Sequence, residues 1–96
     1  MRKGPINKAV FTSVNVTNSG ILVLPENPYR FYTLLTNGSN QDMWIMLGVQ
    51  NIFGEGIFIP KNGFSYEIDA NNMWRGEIYG IISVAGPKTL SVFEGS

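Results

Sequence analysis

Ninety-six residues suffice for one domain with a thin core and are too few for two. Seven basic residues balance seven acidic ones, and charged residues make up 15% of the chain against 44% hydrophobic. That balance speaks against a nucleic-acid binder relying on phosphate contacts, and it leaves little charge to repel one copy from another. The chain has no histidine and no cysteine. The commonest general base, the commonest metal ligand and all disulfide and thiolate chemistry are therefore excluded together.

Residues 1–8, MRKGPINK, are basic through Arg2, Lys3 and Lys8 and are broken by Gly4-Pro5. They read as an N-terminal arm ahead of a β-domain over 9–96. No apolar run follows Met1-Arg2-Lys3, which predicts synthesis in the cytoplasm, and no run approaches the roughly 18 apolar residues of a membrane span. From residue 9 the texture changes to short β-rich runs: AVFTSVNV, GILVLP, YRFYTLLT, MWIMLGV, GIFIP, FSYEID, GEIYGIISV and KTLSVFE. The separators TNSG, ENP, NGSNQD, NIFGEG, PKNG, ANNMWR and AGP carry the Gly, Pro, Asn and Asp that turns require. A strand and turn every roughly 8 to 12 residues is the pattern of an all-β sandwich or barrel. The spacing predicts a single antiparallel β-sandwich of about eight short strands, jelly-roll-like or immunoglobulin-like. Helix is limited to at most one turn near 70–74. Asn37-Gly38 predicts a hairpin between YTLL and MWIML, and Asn62-Gly63 predicts a second inside IPKNGFSYEID.

Candidate chemistry is sparse. Glu67 and Asp69, two apart on a strand, share a face and read as solvent-side charges, with Arg30 or Arg75 as partners; an Arg30–Glu67 ion pair is expected. A calcium site from Glu67, Asp69 and Asn71 does not follow a known ligand spacing. Serine and threonine nucleophiles lack a base, and GVQNIFGEGIF lacks the lysine of a phosphate loop. The expectation is no catalytic residue, no cofactor and no metal.

Aromatic residues are the richer signal. Trp74 stands between Met73 and Arg75 in an Asn-rich separator, and Trp, Met and Arg are enriched at protein interfaces. It is either folded back over the sheet or offered to a partner. Several strands also carry apolar groups on both faces. Tyr32 with Leu34, Trp44 with Met46, and Tyr79 with Ile81 oppose the sets that a two-layer sandwich would bury. With no helix to cover them, these groups predict association surfaces.

LPENPYRFYTLLTNGSNQDMWIMLG, GIFIPKNGFSYEID and GEIYGIISVAGPKTLSVFEG together resemble a group of small β-sandwich proteins from tailed bacteriophages. The shared pattern is similar to Asn-Pro-x-Arg, a strand, a polar turn and a Leu-Gly end, then an apolar-Pro-x-x-Gly hairpin into Tyr-Glu, Gly-x-Ile-Tyr-x-Ile and a closing Leu-x-Val-x-Glu. The resemblance spans residues 21 to 95, and on it Asn27, Pro28, Arg30, Gly48, Gly63, Glu67, Gly76, Tyr79 and Glu94 look structural. It implies a virion component, such as a capsid decoration or cement protein or an accessory of a fibre or tail.

The resulting expectation is a non-enzymatic structural virion protein that binds the shell and associates with itself, as a trimer. The alternative is a glycan-binding host-attachment module with Trp74, Tyr29 or Phe58 as its stacking platform. The expected partners are the major capsid protein or other virion proteins. The residues expected to meet them are Arg2, Lys3, Lys8, Trp44, Met46, Met73, Trp74, Arg75 and Tyr79.

Overall fold

The computed structural model describes residues 8–50 and 54–96, so Arg2 and Lys3 lie outside the described residues. Eight strands follow in order: β1 Ala9–Val16, β2 Ile21–Leu24, β3 Tyr32–Asn37, β4 Met43–Leu47, β5 Ile57–Ile59, β6 Phe64–Ile68, β7 Ile78–Ile81 and β8 Lys88–Gly95. They are rich in the β-branched and aromatic residues that suit a pleated surface. Among the described residues there is no helix; residues 70–72 form turn and bend, and 73–74 are irregular.

The strands make two antiparallel four-stranded sheets, β1-β8-β3-β6 and β2-β7-β4-β5. The pairs β1–β8, β2–β7, β3–β6 and β4–β5 nest inside one another along the chain. This is a long hairpin rolled into two layers, a jelly roll, and the immunoglobulin arrangement does not apply. Lys8 and Ser96 exchange both backbone bonds, at 2.7 and 2.8 Å, so the β1–β8 ladder reaches one residue into the expected arm.

Both expected hairpins are corrected by this topology. β3 belongs to the first sheet and β4 to the second, while β5 returns to β4 and β6 to β3. The segments around Asn37-Gly38 and Asn62-Gly63 are arches between layers, and the hairpin within one sheet is β4–β5. Asn62 and Gly63 do adopt φ 69 and 101°, the left-handed corner their identities suggest, whereas Gly38 does not. The two arches are tied to each other. Asn37 Nδ2 donates to Gln41 O and Ile59 O, Gly63 N donates to Asn37 O, and Lys61 N donates to the Asp42 carboxylate. A buried Asn with both ends satisfied holds the roll closed where hairpin bonds would otherwise stand.

The core lies between the layers. Val16, Leu35, Met43, Ile45, Ile59, Ile68, Ile78, Leu90 and Val92 are fully buried and sit at alternate strand positions. Each such side chain contributes on the order of 1.5–3 kcal/mol when removed from water.

Candidate interaction surfaces

One end of the sandwich is locked by a charge. Arg30 is 0% exposed, and its Nε meets Glu94 Oε2 at 2.7 Å. Its Nη1 donates to the carbonyls of Trp74 and Gly76, at 3.1 and 2.9 Å, and Nη2 to that of Pro25 at 2.6 Å. Asn27 Nδ2 also reaches Glu94. The expected Arg30–Glu67 pair is therefore wrong. Arg30 N bonds back to Asn27 O, so the residue sits in a turn before β3 and does not continue its outward alternation. Glu67 lies on the outer face opposite Leu34 and accepts the Tyr32 hydroxyl at 2.6 Å. That hydrogen bond, then burial and the charges of Glu67 and Asp69, raise the Tyr32 phenol above its ordinary 10.0.

Trp74 is folded back. Its Nε1 donates to Glu77 O at 3.0 Å, and its ring passes over Gly48 and Gly76. A Cβ on Gly76 would lie 2.7 Å from that ring, so the glycine makes the room. Met73 is half-buried against the core beside it, while Arg75 is exposed and contributes its carbonyl to Asn27 N. Of the two readings open for Trp74, the lid over the sandwich describes it. Asn27, Arg30, Gly48, Gly76 and Glu94 thus belong to one knot.

The outer faces of the two sheets carry the remaining apolar groups. On the second sheet the register aligns Leu22–Tyr79–Met46 in one row and Ile81–Trp44–Phe58 in the next. Trp44 and Met46 thus share a face with Tyr79 and Ile81. Phe58 is 51% and Leu22 42% exposed; Trp44, Met46 and Tyr79 are half-buried, and Ile81 is buried. The Trp44 and Phe58 rings lie 5.2 Å apart. Tyr79 Oη donates to the Glu77 carboxylate, which raises its phenol above 10.0, with burial and the Glu77 charge adding. Gln50 Nε2 donates to the carbonyls of Ser19 and Gly20, which ties the residue after Val49 to the turn before β2.

On the first sheet the register aligns Phe11–Phe93–Leu34 across three strands, with Tyr32 beside Phe93. Phe11 is 79% exposed, and its ring lies 4.6 Å from that of Phe93. The next row is Ser13–Ser91–Thr36–Ser65, in which Thr36 and Ser65 hydroxyls bond at 2.9 Å. Phe11 and Phe93 do not figure among the sequence candidates. Their signal was present, since Val10, Val14 and Val16 alternate against Phe11, and Leu90 and Val92 against Phe93.

Near this face an open groove of about 400 Å³ is lined by Gly38, Ser39, Asn40, Pro87, Lys88, Thr89 and Ser91. It holds no aromatic ring and none of the sequence-derived candidates. Among the described residues no cluster of three carboxylate or other ligating side chains could hold a metal. Asp69 instead caps the turn after β6, accepting from Asn71 N. Lys8 enters the ladder through its backbone. No known protein family, curated protein or solved structure matches the chain.

Proposed function

We infer that the chain is a non-enzymatic structural component of a tailed-phage virion, a decoration protein that binds the capsid shell through the outer surfaces of its jelly roll. The observation that carries this reading is the aromatic row Phe11–Phe93–Tyr32 with Leu34, standing on a sheet face that no other layer covers among the described residues. Exposed apolar groups in register, rimmed by hydroxyls, make a flat face suited to burial against protein. The second face, with Trp44, Met46, Phe58 and Tyr79, gives the molecule a further contact on its opposite side. Zero net charge supports association between copies, and three-fold positions of the shell would gather copies as a trimer on the particle itself. The resemblance in residues 21–95 supplies the virion setting.

The test is the protein inventory of purified particles from the phage that encodes the chain, paired with a glycan array. The reading expects many copies per particle, removable by mild chaotrope, and no saturable glycan binding. Absence from particles, or saturable glycan binding abolished by Tyr29→Ala or Phe58→Ala, would overturn it.

A further inference from the structure

Each sheet of an open sandwich has two edges whose backbone groups lack a neighbour, and folded proteins blunt such edges. Three of the four edges are blunted. β2 has four residues, a register shift between Leu22 and Leu24, and Pro25 directly after it. β5 has three residues and runs into Pro60. β6 carries Glu67 on its outer face and is followed by Asp69. β1 is different. It has eight residues, AVFTSVNV, with no charge and no proline, and pairs with β8 without a break from Ala9↔Gly95 to Val16↔Lys88.

The hydrogen-bond parity of β1 can be assigned. Lys8 and Ser96 exchange both backbone bonds, which makes them a hydrogen-bonded pair. In an antiparallel ladder such pairs alternate with non-hydrogen-bonded ones. Val10, Thr12, Val14 and Val16 therefore bond to β8, and Ala9, Phe11, Ser13 and Asn15 aim their N–H and C=O groups at the free edge. Among the described residues no strand pairs with that side.

We propose that β1 is a strand-addition edge whose occupant is β1 of a second copy, antiparallel about a two-fold axis through Thr12. Only this centre uses the whole edge. Ala9 pairs with Asn15 of the other copy and Phe11 with Ser13, each pair occurring twice, so all eight free backbone groups are satisfied. On the inner side Val10 meets Val14, apolar against apolar, and no like charges oppose each other anywhere along the strand. The pairing joins the two first sheets into one eight-stranded sheet, with Phe11 gaining a neighbour on its open flank. A centre at Phe11 or Ser13 leaves one of the four residues without a partner. This contact is separate from the sheet-face contacts above and does not depend on the virion reading.

The chain has no cysteine, so Thr12→Cys introduces a lone thiol. The two copies of residue 12 face each other as a non-hydrogen-bonded pair with Cα atoms about 4.5 Å apart, inside the disulfide range that begins at about 4.4 Å. Asn15→Cys is the control for random collision, because its two copies lie on the order of 20 Å apart at about 3.3 Å per residue. Sedimentation of the wild type at micromolar concentrations should give twice the monomer mass. Thr12→Cys should oxidise to a covalent dimer well ahead of Asn15→Cys. Thr12→Lys and Thr12→Glu, each at an exposed site and checked by circular dichroism, should each lose the dimer, and mixing them should restore it. A monomeric wild type, equal oxidation of the two cysteine variants, or a dimer that survives Thr12→Lys would overturn the proposal. A three-fold mass unaffected by Thr12→Lys would do so while leaving the sheet-face contacts standing.

Discussion

At the residue scale the Arg30–Glu94 pair sets the local energetics. Arg30 is buried with four of its N–H groups directed to named oxygens, so removing the carboxylate leaves a guanidinium without its counter-charge. Glu94→Ala should lower the unfolding free energy by about 3–5 kcal/mol, measured by urea titration. Arg30→Lys should also be costly, since an ammonium cannot serve four fixed acceptors. Thr33 makes the opposite prediction. Its hydroxyl is buried with no hydrogen-bond partner among the described residues, so Thr33→Val should hold or raise the melting temperature, by up to about 1 kcal/mol in stability. The raised phenols of Tyr32 and Tyr79 give a pH dependence. Below 10.0 both are protonated folded and unfolded, and their contribution is fully present. Above it the unfolded chain ionises first, so stability falls and the contribution is gone once pH passes the raised folded values. The double variant Tyr32→Phe with Tyr79→Phe should flatten the alkaline limb of an unfolding profile; an unchanged limb would contradict the assignment. Arg30 was legible as a charge that needed a partner, and its partner was not. Glu94 lies 64 positions away, and a turn at Asn27–Arg30 breaks the alternation from which Glu67 was inferred.

At the scale of elements, the turn at Met73–Trp74 depends on two glycines. Gly48 has φ +93°, and a Cβ there would lie 3.2 Å from the Trp74 ring, against 2.7 Å at Gly76. Gly76→Ala should displace the indole from its place over β4 and break its bond to Glu77 O. The expected readout is a red-shifted tryptophan emission relative to wild type, with a loss of stability of about 1–3 kcal/mol from overpacking. Emission unchanged from the wild type would mean that the ring does not lean on this glycine. Strand positions were readable because alternation and turn residues are local signals: AVFTSVNV coincides with β1, and Met43 and Phe64 open β4 and β6. The arches were misread as hairpins for a related reason. Asn-Gly specifies a tight corner, but whether the chain re-pairs with the strand it left or crosses to the other layer is decided by the distant partners β6 and β8 of β3. The outer sets Trp44–Met46 and Tyr79–Ile81 were visible one strand at a time, and only the β4–β7 register shows them to be one surface.

At the scale of the whole molecule, the jelly roll carries an apolar stripe on the outer face of each sheet and one long uncharged edge. Its polar groove near Ser39, Lys88 and Thr89 lies apart from both stripes. Among the described residues the two stripes and the free edge of β1 all face outward, and the proposed role in contact with other protein rests on that arrangement. Under the proposed virion reading, a cryo-EM reconstruction of the particle at side-chain resolution tests this most directly. The account predicts jelly-roll density on the shell with Phe11, Tyr32, Leu34 and Phe93 against protein atoms of a neighbour. Density for the chain with that row facing solvent, or no such density on the particle, would contradict it.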